Sequence, residues 1–293
     1  MTREPAGTTR AAAGTNPTAT ATTRAPSGTT RAALAQLAAG PDKAANLTAA
    51  AALVAEAGAA GARLVVLPEY AMAHLERPDA AGLAAVAEPL DGQFVTALAD
   101  LARAHRLTLL AGMVEDLADG GRPANTVVAV GPDGALLGAY RKVHLYDAFG
   151  DRESDRLRAG PPEPLVLAVD GLRVGVLTCY DLRFPEMARL LLDAGAEVLA
   201  VPAAWVAGPG KADHWLTLAK ARAIENTAYV LGCGMTGPRC TGRSVVVDPA
   251  GAILADAGED PGVVVADLDP AVLAEVRAAN PSLRNRRFTV RPR

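Results

Sequence analysis

Short apolar segments alternate with helix-forming segments along most of this chain, and this alternation restricts the possible folds more than any other feature. Apolar runs such as Arg63–Leu67, which stops at Pro68, are typical of buried strands. Intervening stretches such as Asp91–His105 have the spacing of amphipathic helices. Two pairs of runs are separated only by Gly131–Gly134 and by Asp170-Gly171, which predicts hairpins. The chain is therefore expected to form an α/β fold with mixed sheets covered by helices.

The first 30 residues differ from the rest of the chain. Seventeen of them are Thr or Ala, and no large apolar residue occurs between Met1 and Leu34. A segment that cannot bury side chains is expected to be disordered, and this one also lacks the apolar stretch of a secretory signal. A misassigned start codon or a transit-type segment would look similar. We therefore predict a disordered extension over 1–30 and a single domain over 31–293, since no Pro/Ser-rich linker divides the remainder.

Composition excludes several classes of function. A net charge of -3 and 4% aromatic residues argue against a nucleic-acid-binding face. Three cysteines and four histidines provide neither a disulfide framework nor an evident metal site. Gly232–Gly237 has the spacing of a dinucleotide fingerprint, but a strand rather than a helix is predicted after it. With no apolar run long enough to span a membrane, the chain is expected to act on a small molecule in the cytoplasm, without metal or cofactor.

Three reactive residues, Glu69, Lys142 and Cys179, each follow a predicted buried strand at its carboxyl end, where α/β sheets bind ligands. Cys179 precedes a sharp turn and a helix, which suits a nucleophile, although a lone cysteine is commonly a small core residue. Lys142 is one of only four lysines among 29 basic residues, which points to a compact charge in a tight site, with an edge residue at the hairpin end as an equal alternative. Glu69 ends an apolar run, so its carboxylate must either be paired or have a raised pKa.

Glu153 completes a coherent catalytic set, although a solvated loop residue is the alternative because segment 147–160 is rich in charge. One carboxylate can remove the thiol proton and later activate water. The lysine can stabilise negative charge on the substrate oxygen, and the second carboxylate can hold the lysine in place.

These residues lie in sequence blocks that resemble the nitrilase superfamily of carbon–nitrogen hydrolases, from about Arg31 to Phe288. The blocks are Leu67-Pro-Glu-Tyr70, Tyr140-Arg-Lys-Val-His-Leu-Tyr-Asp147, Thr178-Cys-Tyr-Asp-Leu-Arg-Phe-Pro-Glu186, His214-Trp215, Ala221-Arg-Ala-Ile-Glu-Asn226, Gly242-Arg-Ser-Val-Val-Val-Asp-Pro249 and Ser282-Leu-Arg-Asn-Arg-Arg287. The residues after Cys179 are similar to those of the amidase branch that includes omega-amidase and deaminated-glutathione amidase.

The resemblance implies a four-layer α/β/β/α sandwich that pairs through the Cys179 side into a homodimer. It implies Glu69 as base, Lys142 as oxyanion stabiliser, Cys179 as nucleophile and Glu153 as second glutamate. Residues expected to bind the oxyanion or the substrate are Tyr180 (through its backbone N–H), Arg183 and Trp205. Arg183 or Arg222 is a candidate anchor for a substrate carboxylate, with a structural ion pair as the alternative.

The expected activity is hydrolysis of a small linear amide to a carboxylate and ammonia through a cysteine thioester, with no metal or organic cofactor. An N-carbamoyl or ureido hydrolase of the same superfamily and a catalytically idle binding subunit are the alternatives. Leu216 stands where the branch commonly has Glu after His-Trp, and the stretch Gly232–Gly242 is shorter than in those amidases. Both departures fall where substrate loops are expected, so substrate identity stays open.

Overall fold

Two six-stranded sheets form the framework of the protein in the computed structural model, which describes residues 28–292. The strands are β1 (Thr30–Gln36), β2 (Leu64–Val66), β3 (Thr108–Glu115), β4 (Ala124–Val130), β5 (Leu136–Arg141), β6 (Leu165–Val169), β7 (Leu172–Val176), β8 (Val198–Ala203), β9 (Tyr229–Gly234), β10 (Val245–Val247), β11 (Ile253–Asp256) and β12 (Gly262–Leu268). The helices are α1 (Lys43–Ala59), α2 (Ala80–Val86), α3 (Gln93–His105), α4 (Pro185–Asp193), α5 (Lys211–Asn226) and α6 (Pro270–Ala279). Short 3-10 turns span Glu153–Asp155 and Cys179–Arg183.

The two sheets share one topology. The first has the order β12-β1-β2-β3-β4-β5 and the second β11-β10-β9-β8-β7-β6. In each, three central strands run parallel, namely β1, β2 and β3 in one and β7, β8 and β9 in the other. The remaining neighbours are antiparallel. Parallel strands need crossover helices whereas antiparallel neighbours need only turns, which is why helices and hairpins alternate along the chain.

Side-chain alternation in the central strands creates four layers. In β1, Ala32 and Leu34 face the second sheet, whereas Ala33 and Ala35 pack in the core beneath α1 and α3. The same core between the sheets continues to the helices on the far side through residues such as Trp215 of α5. Because successive strand residues point to opposite faces, each sheet buries both of its surfaces. The predicted α/β/β/α sandwich with mixed sheets is confirmed.

The predicted elements differ from the structure in two places that matter for the site. Strand β5 was expected to be buried, but it lies at the edge of its sheet, and Leu136 and Leu137 are 43% and 42% exposed. Helix α2 was not predicted, because its seven residues are too few to show a helical period and include Gly82. The predicted extension over 1–30 lies, up to residue 27, outside the described residues and stays a prediction. No helix in residues 28–292 has the length and apolar character to cross a membrane.

Gly112 of β3 sets the position of the loop that follows β2. Its N–H donates to the Pro68 carbonyl at 3.0 Å, and its own carbonyl accepts from Met72 N–H at 3.1 Å. A Cβ atom at this position would stand only 2.5 Å from Glu69 Cα and from Tyr70 N. The absence of a side chain at residue 112 therefore lets the loop carrying Glu69 lie directly on β3.

We expect Gly112→Ala to displace this loop. Backbone atoms at 2.5 Å cannot yield as a flexible side chain would, so the substitution should lower the free energy of unfolding by about 2–3 kcal/mol. Urea denaturation measures this loss. Gly262→Ala is the matched control, since a Cβ there meets no atom within 4 Å and the backbone needs no positive φ. Equal stability of the two variants would contradict the close approach.

Candidate active site

A cavity of about 140 Å³ lies where β2, β5, β7 and β8 end. The structure brings all seven predicted site residues to its wall, although they span 137 positions of sequence. They are Glu69, Lys142, Glu153, Cys179, Tyr180, Arg183 and Trp205. The wall also contains residues that the sequence did not point to, among them Tyr70, Tyr146 and Lys211.

In the wall of this cavity, Lys142 lies between two carboxylates. Its Nζ is 2.9 Å from Glu69 Oε1 and 2.9 Å from Glu153 Oε2, and all three side chains are buried. Burial by itself lowers the pKa of Lys142, but Glu153 and Glu69 outweigh it and hold that pKa well above its ordinary value. Lys142 is therefore a fixed ammonium, aimed into the cavity from an edge strand.

Glu153 has no free lone pair in the folded protein. Its Oε1 accepts from Tyr70 OH at 2.6 Å and from Asn125 Nδ2 at 3.1 Å. Its Oε2 accepts from Lys142 Nζ at 2.9 Å and from the Tyr146 N–H at 2.6 Å. Burial opposes the charge, but Lys142 and these hydrogen bonds lower the pKa of Glu153 overall. Because a carboxylate has about four acceptor positions, this one is saturated and has none left for a transferred proton.

Glu69 differs from Glu153 by one acceptor position. Its Oε1 accepts from Lys142 Nζ at 2.9 Å and from Asn125 Nδ2 at 2.7 Å. Its Oε2 accepts from one protein group, the Ala204 N–H at 2.7 Å. The remaining acceptor position of Glu69 has no protein donor within residues 28–292, and Cys179 lines the same cavity. Burial, followed by Glu69, raises the pKa of Cys179 well above its ordinary value, which favours the protonated thiol.

Cys179 occupies a strained turn three residues beyond β7. Its φ is +46°, in the left-handed region that costs a non-glycine residue about 1–3 kcal/mol. It begins the 3-10 turn Cys179–Arg183, which leads directly into α4. Cys179 and the next residue, Tyr180, both line the cavity at this turn.

Asp181 ties this turn to the segment that carries Lys142. Its Oδ2 accepts from the Thr178 N–H at 2.9 Å and from Tyr140 OH at 2.7 Å. Its Oδ1 accepts from the His144 N–H at 3.0 Å and lies 2.7 Å from His144 Nδ1. Tyr140 and His144 flank Lys142 by two residues on either side. One fully buried carboxylate thus fixes the turn that begins at Cys179 relative to the ammonium.

Another part of the cavity wall carries two cations that contact aromatic rings. The Arg183 guanidinium lies 4.8 Å from the Trp205 ring centre, and Lys211 Nζ lies 3.3 Å from the Phe149 ring centre and 3.4 Å from Tyr146 OH. Within residues 28–292 neither cation forms an ion pair with a carboxylate. Burial, followed by Arg183, lowers the pKa of Lys211. Two cations, Arg183 and Lys211, therefore belong to the wall of this cavity.

Of the two arginines considered as substrate anchors, Arg183 lines the cavity and Arg222 does not. Arg222 Nη1 instead pairs with Glu225 at 2.9 Å within α5, which is the structural ion pair given as the alternative. Lys211, which was not among the predicted site residues, also lies in the cavity wall. The sequence did not indicate a role for Asn125, Tyr70 or Asp181. Tyr70 and Asp181 were notable only because each directly follows a predicted site residue.

Comparisons with known proteins agree with this geometry. The family model described as carbon-nitrogen hydrolase matches residues 31–278. A relative from Escherichia coli O157:H7 named deaminated glutathione amidase is 40% identical over 243 residues, 83% of this chain and 92% of that protein. Omega-amidase NIT3 of Saccharomyces cerevisiae is 35% identical over 275 residues, 88% of this chain and 93% of that protein. The crystal structure of Saccharomyces cerevisiae Nit3, a member of branch 10 of the nitrilase superfamily, matches with a TM-score of 0.80 and 33% identity, over 89% of this chain and 98% of that one. The resemblance predicted from the sequence blocks is confirmed.

We expect Asp181→Asn to impair turnover because an amide cannot accept all four of these contacts. An NH₂ group must then face one of the donors from Thr178, His144 or Tyr140, which loosens the Cys179 turn relative to Lys142. Misplacement of this kind costs about 10²-fold in rate. Initial rates of ammonia release measure it. Asp267→Asn, which removes a surface partner of Arg31, should retain wild-type rates, and equal rates for both variants would contradict the role of Asp181.

Proposed function

The chain belongs to the carbon–nitrogen hydrolase family, and on this premise we propose that it hydrolyses a small linear amide through a thioester on Cys179. Cleavage of an amide carbon–nitrogen bond follows from the family and from relatives that are amidases. The route and the residue roles are the proposal. The observation that supports them best is the buried Lys142 ammonium between Glu69 and Glu153, in the cavity that Cys179 also lines.

Acylation begins with transfer of the Cys179 proton to the free acceptor position of Glu69. The sulfur attacks the amide carbon, and the carbonyl oxygen gains negative charge that Lys142 and the Tyr180 N–H stabilise. The carbon–nitrogen bond then breaks while Glu69 returns the proton to the departing nitrogen, so ammonia leaves as a neutral molecule. The raised pKa of Cys179 suits this order, because a thiol that stays protonated at rest needs an adjacent base at the moment of attack.

Deacylation reverses the roles of the same groups. Glu69 takes a proton from water, and the resulting hydroxide attacks the thioester carbon against the same oxyanion donors. The carbon–sulfur bond breaks, and the thiolate recovers its proton from Glu69. Glu153 transfers no proton in either half-reaction; its four hydrogen bonds instead keep Lys142 in place.

The acid half of the substrate is proposed to end in a carboxylate. Arg183 and Lys211 line the cavity, and neither forms an ion pair with a carboxylate among the described residues, which supports this assignment. Arg183 Nε is buried and has no hydrogen-bond partner in this part of the chain, so an incoming anion would satisfy it. The Trp205 ring packs against the Arg183 guanidinium and provides an apolar surface beside it. The names of the relatives, deaminated glutathione amidase and omega-amidase, agree with such a substrate.

A homodimer through the α4–α5 face is proposed for the assembly. Buried side-chain nitrogens of these two helices lack hydrogen-bond partners within residues 28–292, namely Arg189 Nη1 of α4 and Arg222 Nε of α5. Ile224 of α5 is 47% exposed on the same helix. A second copy would supply both acceptors and apolar contact here. We also propose a cytoplasmic location, which the three unpaired cysteines, Cys179, Cys233 and Cys240, support.

The thioester is tested by replacing the nucleophile. Cys179→Ala should lower ammonia release at least about 10³-fold with ω-amides of dicarboxylates, deaminated glutathione or simple aliphatic amides. Intact-protein mass spectrometry should detect an acyl adduct on the wild type during turnover and none on the variant. Cys233→Ala, which removes a buried thiol outside the cavity, is the control and should stay active. Wild-type rates in Cys179→Ala would end the proposal, and release of CO₂ with the ammonia would indicate a carbamoyl substrate instead.

The carboxylate assignment is tested by Lys211→Met. Loss of one charge-assisted contact should raise KM for an ω-carboxylate amide about 10-fold or more, with little change in kcat. A neutral amide of the same length should show no change in KM, because it offers nothing to Lys211. Lys220→Met removes an exposed lysine from the same helix and should affect neither substrate. Equal effects of Lys211→Met on charged and neutral amides would contradict the assignment.

A further inference from the structure

We propose that Tyr70 is a positioning residue that keeps Glu153 out of the proton transfer, so that Glu69 alone serves as the base. This inference rests on the proposed function, in which one of two adjacent carboxylates must exchange protons and the other must not. Nothing in the sequence distinguishes the two acids in this respect. The distinction comes from the groups that donate to them.

The two carboxylates share most of their surroundings. Each accepts from Lys142 Nζ through one oxygen, and the single amide nitrogen of Asn125 donates to Oε1 of both, at 2.7 Å for Glu69 and 3.1 Å for Glu153. These shared donors favour a negative charge on both acids and do not distinguish their roles. The distinction must come from the remaining donors.

Apart from the shared donors, Glu153 accepts two hydrogen bonds and Glu69 accepts one, so the ionised form of Glu153 is stabilised more. Glu69 has the Ala204 N–H, whereas Glu153 has both the Tyr146 N–H and the Tyr70 hydroxyl. The Tyr70 hydroxyl is 2.6 Å from Glu153 Oε1, 0.5 Å closer than the Asn125 nitrogen on the same oxygen. Without the hydroxyl, Oε1 would keep only the longer contact and one acceptor position would open. Glu153 could then take a proton, and a neutral Glu153 would no longer hold Lys142.

The conformation of Tyr70 fits this role. Its φ is +55°, a left-handed conformation that is costly for an aromatic residue, directly after Glu69. The ring thereby reaches across the cavity to a carboxylate 83 positions away. Burial, followed by Glu153 and Glu69, raises the pKa of Tyr70 well above its ordinary value, so the hydroxyl is a permanent donor. The charged and titratable groups that face Glu153 from all sides are Lys142, Glu69, Tyr70, Cys179 and Arg156.

The test compares the pH dependence of kcat/KM in the wild type and in Tyr70→Phe. Loss of the hydroxyl should raise the pKa of Glu153. As the pH is lowered, the variant should therefore lose activity at a higher pH than the wild type. We expect the acid limb to move up by about one pH unit, the size expected for one charge-assisted hydrogen bond, with KM nearly unchanged. Tyr229→Phe is the control, since its buried hydroxyl contacts only the backbone of Asp269, outside the cavity.

A second variant has the opposite expected sign. Fluorotyrosine incorporated at position 70 is a more acidic phenol and a stronger donor, so the acid limb should move to lower pH without loss of packing. An acid limb that is unchanged in Tyr70→Phe, or that moves equally in Tyr229→Phe, overturns the inference. A limb that moves upward with fluorotyrosine overturns it as well. These outcomes leave Cys179-dependent ammonia release in the wild type intact, so they are distinguishable from failure of the proposed function.

A direct titration removes the dependence on activity. Infrared difference spectra of the carboxyl band, with Glu153→Gln to assign it, report the protonation of Glu153 whether or not an amide is hydrolysed. The inference requires Glu153 to protonate at a higher pH in Tyr70→Phe than in the wild type. Identical titrations in the two proteins would overturn it.

Discussion

The site depends on one buried ion cluster, in which the Lys142 ammonium is enclosed by the carboxylates of Glu69 and Glu153. Removing three charged groups from water is costly, and it is tolerated only because nearly every polar atom involved is hydrogen-bonded. The donors come from β4, from the loops after β2 and β8, and from the segment that follows β5. The cluster therefore fixes the mutual positions of both sheets at their carboxyl ends, and it prepares the field in which a substrate oxygen would become negative.

A second carboxylate, that of Asp181, joins the nucleophile to this cluster without entering it. Its contacts run to the residue before Cys179 and to both sides of Lys142, so the distance between sulfur and ammonium is set by one rigid connection. The positive φ of Cys179 is sustained by the same connection. Strain of this kind persists only where the surroundings determine it completely, as they do here.

The sequence was informative where a reactive residue directly follows a recognisable strand. The period of apolar residues predicted the strand within Arg63–Leu67, the helix within Asp91–His105 and both hairpins. The reactive residue types at strand ends pointed to Glu69, Lys142 and Cys179. Glu153 emerged only through family resemblance, because a charged loop gives no sign that one of its acids is buried. Asn125 and Tyr70 could not be predicted, since a hydrogen-bond partner is defined by a contact across the fold. Lys211 was overlooked because its contacts with Phe149 and Tyr146 depend on how a loop folds over α5.

The edge position of β5 has a consequence for how the protein would lose its function. This strand pairs with β4 alone within its sheet and is anchored at its end by Arg141, which reaches the buried Glu115 at 2.5–2.7 Å. Edge strands open at a lower free energy than the parallel centre of a sheet. Fraying of β5 would withdraw the ammonium before the central strands separate, so inactivation on heating would precede global melting and would reverse on cooling.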